Sequence, residues 1–159
     1  MKRVFLVALV LCLLPVFSVA EDYEFVRYYI DEILKTYDCK AFPEEYKSTY
    51  NENGLEYRHF FMTDNVKISI ATNGEVVDSV GASCFDESEL HDFLVSCYAC
   101  LTAFGVSPSS AANNVFFSYL NAKIGESQSN LFGNDVISRM YYYPEKDSFT
   151  YVVMKVVDE

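Results

Sequence analysis

LEYRHFFMTDNVKISIATNGEVVDSVGAS, residues 55–83, decides how this chain folds. Three runs rich in β-branched and aromatic residues, Leu55–Met62, Val66–Thr72 and Val76–Ser83, are separated by two turn signals. Val66, Ile68 and Ile70 alternate with Lys67, Ser69 and Ala71, the period of a strand with one buried face. Thr63-Asp64-Asn65 turns the first run into the second. Asn73-Gly74 turns the second into the third, and both residue types tolerate the positive φ that a type I′ hairpin turn requires. The stretch predicts an antiparallel three-strand meander.

Helical periodicity surrounds this meander. Before it, Val26, Tyr29, Ile30, Ile33, Leu34 and Tyr37 recur at three- and four-residue steps over 22–37, opposite Glu24, Asp31, Glu32 and Lys35. Residues 38–54 carry Pro43 and Asn51-Glu52-Asn53-Gly54 and read as a long surface connection. After the meander, Asp86 and Glu89 have the spacing of a capping box opening a helix that runs to about Phe104. Leu90, Phe93, Leu94, Cys97, Leu101 and Phe104 form its apolar stripe, and Gly105 ends it. Ser107-Pro108 opens a further helix with Pro at the first helical position. Ala112, Val115, Phe116, Tyr119 and Leu120 are its expected core side. Residues 126–134 read as a polar loop, and Val136–Tyr143 and Phe149–Val157 as a closing pair of strands. The order α-βββ-αα-ββ lacks βαβ alternation. It implies an α+β fold, a mostly antiparallel sheet of about five strands with helices packed on one face.

Residues 1–20 have the form of a secretory signal peptide. Lys2 and Arg3 precede an apolar run from Val4 to Phe17, and Ser18-Val19-Ala20 places small residues before a cut at Glu21. The run is too short to span a bilayer. The expectation is therefore a secreted or extracytoplasmic product with a single domain over 21–159 and no membrane insertion. The full chain has a formal charge of −11, and loss of Lys2 and Arg3 would take it to −13. Such a chain repels phosphate backbones, so nucleic acid is a poor candidate partner.

Four cysteines follow the leader: Cys39, Cys84, Cys97 and Cys100. In an exported chain an even number reads as disulfide candidates, with three pairings open. The favoured arrangement ties Cys39 and Cys84 each to one cysteine of the central helix. Cys97-Tyr98-Ala99-Cys100 is the one segment with a named chemistry. In redox enzymes such a pair sits at the first turn of a helix, where free amides stabilise a thiolate. Here it lies about three turns inside the helix, and Asp86, Glu87 and Glu89 put negative charge at the start. Core packing or a structural bridge is the preferred reading. Zinc held by four thiolates wants two close pairs, and only one exists. His59 and His91 have no metal-ligand spacing, and the acidic run 86–92 is spaced for helix capping rather than for calcium. No metal and no cofactor is expected. Nucleophile elbows, zinc-protease motifs and Gly-rich phosphate loops do not occur.

Tyr141-Tyr142-Tyr143 is the remaining unusual feature. Alternation sends Tyr141 and Tyr143 to one side of the sheet. With Tyr151 on the neighbouring strand they would build an aromatic platform on the side without helices, or serve as cross-strand pairs that stabilise the sheet. From Leu55 to Val157 the layout resembles a loose group of uncharacterised exported α+β domains of Gram-positive bacteria. The resemblance rests on the Asn73-Gly74 hairpin, the acidic start at Asp86, Ser107-Pro108 and the closing hairpin. It implies an exported α+β domain and transfers no activity. Two functions fit the sequence: a non-enzymatic binding module for a protein, peptide or glycan, or a thiol–disulfide redox protein using Cys97 and Cys100.

Overall fold

The computed structural model describes residues 22–127, 129–133 and 135–156, so the expected leader, Met1–Ala20, lies outside the described residues. The elements are α1 (Tyr23–Thr36), β1 (Lys47–Tyr50), β2 (Glu56–Phe61), β3 (Val66–Asn73) and β4 (Val76–Cys84). A 3-10 turn (Glu87–Glu89), α2 (Leu90–Ala103), α3 (Pro108–Lys123), β5 (Ser129–Phe132), β6 (Val136–Tyr143) and β7 (Ser148–Lys155) follow. No helix among the described residues is long and apolar enough to cross a membrane.

The fold is α+β, but the expected five-stranded sheet is corrected. One antiparallel sheet has seven strands in the order β1-β2-β3-β4-β7-β6-β5. The element order is accordingly α-ββββ-αα-βββ, because 38–54 contains β1 and 126–134 contains β5. Both added strands lie at the sheet edges. Every residue of β1 is exposed, so it shows none of the apolar alternation by which a strand is recognised.

The turn between β3 and β4 is also corrected. Asn73 pairs with Val76, leaving Gly74 and Glu75 as the turn. Gly74 alone takes positive φ (+65°), as in a type II′ rather than a type I′ turn. The extra residue that this shifts into β4 is absorbed by a bulge, with Ala71 opposite Ser79 and Thr72 opposite Val77.

Side chains alternate across the strands. Phe60, Ile68, Ile70, Val80, Ala82, Met140, Phe149, Tyr151 and Val153 share the face that the three helices cover. The central helix α2 lies between α1 and α3 and over β3, β4 and β7. That position explains why Phe93, Ser96, Cys97, Ala99, Cys100, Leu101 and Thr102 are all buried, a band wider than one stripe. Asp86 caps the turn before α2 by accepting from the Ser88 amide at 2.8 Å. Glu89 accepts from the Thr63 hydroxyl instead of reaching back to close a box.

The expected core side of α3 is corrected in part: Val115 is buried and Tyr119 packs half-buried on Phe149, but Ala112, Phe116 and Leu120 are exposed. Its inward residues are small, Ala111, Val115, Ser118 and Ala122. Phe116, Phe117, Leu120 and Ile124 point outward. Small side chains let α3 approach β6 closely, and Asn114 then reaches the strands: its Oδ1 accepts from Ser138 Oγ at 3.0 Å and Tyr151 Oη at 2.8 Å.

Candidate functional site

Three helices cover one face of the sheet; among the described residues no helix packs on the other, the bare face, and the pairing fixes what it displays. One row runs across all seven strands: Lys47, His59, Ser69, Gly81, Val152, Arg139 and Ser129. The next holds Phe61, Lys67, Ser83, Thr150 and Tyr141. On the other side lie Thr49, Tyr57, Ala71, Ser79, Met154, Ile137 and Leu131. Small residues therefore floor the middle of the face. Rings and long side chains stand on either side.

Gly81 shows how close the central strands come. A Cβ there would lie 2.7 Å from the Tyr151 carbonyl oxygen. His59 is braced from two sides, with Nε2 2.9 Å from Thr49 Oγ1 and Nδ1 2.8 Å from Ser69 Oγ. Burial, and then the Lys67 ammonium, hold its pKa below the ordinary value of 6.5, so the ring is neutral at pH 7. Lys47 lies 5.2 Å from the Phe61 ring centre, and the Arg139 guanidinium 4.9 Å from that of Tyr141. Lys47, Lys67 and Arg139 stand on this face, and so does Asp78, the exposed extra residue of the β4 bulge between the buried Val77 and the bare-face Ser79. None of the paired residues directed to it is Asp or Glu.

The expected tyrosine trio is split. Tyr141 and Tyr143 occupy the bare face, half-buried and exposed respectively. Tyr151 pairs with Met140, one position out of step with Tyr141, so it points under the helices and is fully buried. Tyr142 shares the helix side, its ring centre 4.5 Å from that of Phe149 and its hydroxyl donating to Asp147 at 2.8 Å.

The four cysteines are free thiols. Cys84, Cys97 and Cys100 are wholly buried. Burial is the largest influence on each and pushes its pKa upward. Cys39 stands apart from them, half-buried at the end of α1 and facing the start of α2. Its Sγ is 4.0 Å from His91 Nε2. Sequence spacing hides this meeting, because 52 residues separate the two. Beside it, Tyr37, His91, Leu94, Val95, Tyr98, Val115 and neighbouring α3 residues line an open apolar hollow of about 240 Å³.

Comparison with protein-family models, with curated proteins and with solved structures gives no match to this chain.

Proposed function

We propose that this chain is an exported, non-enzymatic binding module, and that the bare sheet face receives a carboxylate-bearing segment of a partner protein. One observation carries the reading: a chain of net charge −11 gathers Lys47, Lys67 and Arg139 on one face, where they outnumber the carboxylate of the bulge residue Asp78 and no ladder-paired residue is acidic. Charges of one sign on an otherwise opposite surface guide a partner and fix its register. Tyr57, Phe61, Tyr141 and Tyr143 add rings able to bury against apolar groups of the same partner. The overall negative charge still repels long polyanions, which favours a short acidic segment over nucleic acid. Export rests on the Lys2-Arg3 start and the Ser18-Val19-Ala20 end of the leader.

The redox reading has weaker support. Thiol–disulfide exchange needs a thiolate that another sulfur can reach. Cys97 and Cys100 have no exposed surface, and burial holds both as thiols.

Amide chemical-shift mapping with hexaglutamate at low salt tests the binding reading, with an oligogalacturonate run in parallel to separate peptide from glycan. Shifts centred on Ser69, Gly81, Ser83 and Thr150 are expected with the peptide. They are lost in the triple variant Lys47→Glu, Lys67→Glu, Arg139→Glu and on raising salt. Shifts confined to the helical side, or none, would sink the proposal.

A further inference from the structure

Three donor atoms of different chemistry meet where α1 ends and α2 begins. Cys39 Sγ, a ring nitrogen of His91 and a carboxylate oxygen of Asp92 all lie within 4.8 Å of one another. The Tyr37 carbonyl oxygen faces the same spot, 3.4 Å from His91 Nε2 and 3.8 Å from Cys39 Sγ.

Local structure builds this convergence. Asp38 takes a left-handed conformation (φ +57°) just past α1. The Cys39 amide then bonds back to the Leu34 carbonyl at 3.0 Å, and the Asp38 amide bonds to that of Lys35 at 3.4 Å. This is the Schellman ending of a helix, and it reverses the chain. The reversal directs Cys39 at the first turn of α2, which holds His91 and Asp92 side by side.

We propose that Cys39, His91 and Asp92 form a site for a divalent metal ion of the zinc class, independent of the bare sheet face. Thiolate, imidazole and carboxylate together are the donor set of a borderline ion, and three protein ligands leave a fourth position for water or the Tyr37 carbonyl. Ligand bonds of about 2.0–2.3 Å require donor atoms a little closer together than they stand here. His91 is exposed, so its ring is free to close that difference.

Charge favours the ion. The start of α2 contributes roughly half a positive charge against a cation. Asp92, Asp38 and the Cys39 thiolate bring three negative charges, which outweigh it. Without metal the thiol is protonated: burial first, then Asp92 and Asp38, push its pKa up to about 12. Binding replaces the thiol proton with a metal–sulfur bond and releases that proton to solvent. No group is oxidised or reduced.

Cobalt(II) and zinc titrations of the reduced full chain test this. One equivalent of cobalt is expected to give a thiolate-to-cobalt charge-transfer band that zinc abolishes. Cys39→Ser removes the band, and His91→Ala and Asp92→Asn each weaken zinc binding by at least about tenfold. All three positions are exposed or half-buried, and circular dichroism without metal verifies that each variant is folded. Zinc is also expected to raise the melting temperature of the unaltered chain but not of Cys39→Ser. No band with the unaltered chain, or a band that survives Cys39→Ser, overturns the proposal.

Discussion

Tyr151 on β7 and Asn114 on α3 are joined by a 2.8 Å hydrogen bond from the Tyr151 hydroxyl to Asn114 Oδ1, beneath the helices. The same oxygen accepts from Ser138 Oγ on β6. A single amide thus satisfies two hydroxyls on adjacent strands. Asn114→Ala strands both, and leaving a buried polar group unpaired costs about 1–3 kcal/mol. The expected loss is about 2–3 kcal/mol, read as a lower urea midpoint. Tyr151→Phe, which removes one donor and keeps the ring, is expected to cost about 1 kcal/mol.

Gly81 permits β4 and β7 to pair. The Cβ of Gly81→Ala would stand 2.7 Å from the Tyr151 carbonyl oxygen, a backbone atom that cannot swing aside. Overpacking of this kind costs about 1–3 kcal/mol. Amide exchange should quicken at Gly81, Ala82, Tyr151 and Val152 before it does in β2 or β6. Unchanged exchange there would show that the sheet accommodates a methyl group at this point.

Alkali should unfold the protein through its thiols. The folded pKa values of Cys84, Cys97 and Cys100 lie above the ordinary 9.0, chiefly through burial. A raised folded pKa means that the unfolded chain gives up the proton first. The stability from these groups is fully present below pH 9 and declines as pH rises through their folded values. Tyr151, raised by burial from its ordinary 10.0, adds to the decline from that pH upward. Urea midpoints that hold level between pH 7 and 9 and then drop steadily are the expected result. A midpoint that rises above pH 9 would contradict it.

The outward stripe of α3 should be nearly free of cost to remove. Phe117 is 59% exposed and Ile124 is 72% exposed. Phe117→Ser and Ile124→Ser are each expected to change stability by no more than about 0.5 kcal/mol. Leu101→Ala, at a fully buried site on α2, is expected to cost about 2–5 kcal/mol. Denaturant titration of the three variants checks the contrast.

What the sequence made legible follows from where each residue's environment is set. Val66, Ile68 and Ile70 alternate because a neighbouring layer buries every second side chain, so β3 was readable to within one residue of its end. Lys47–Tyr50 lie at an edge with no layer above them, and no pattern marks them. Phe116 and Leu120 are apolar yet lie outside, because close packing on β6 selects the small Ala111 and Ala122, and apolar character alone does not distinguish the two sides of α3. The tyrosine platform lost Tyr151 because the loop between β6 and β7, through the Tyr143–Ser148 pair, sets a register that single-strand alternation cannot supply. Cys39 and His91 meet only through the docking of α1 on α2, a tertiary event without any local signature.

The β4–β7 seam has a kinetic consequence. On one side, β1 to β4 pair each with the next along the chain, and β5 to β7 do the same on the other. Each half can therefore zip from local hairpins. Only the contact of Cys84 with Phe149 and its successors must close the long excursion through α2 and α3. Joining the halves is the slow, entropy-limited event of folding, and an unjoined β4 edge is where two growing chains would exchange halves.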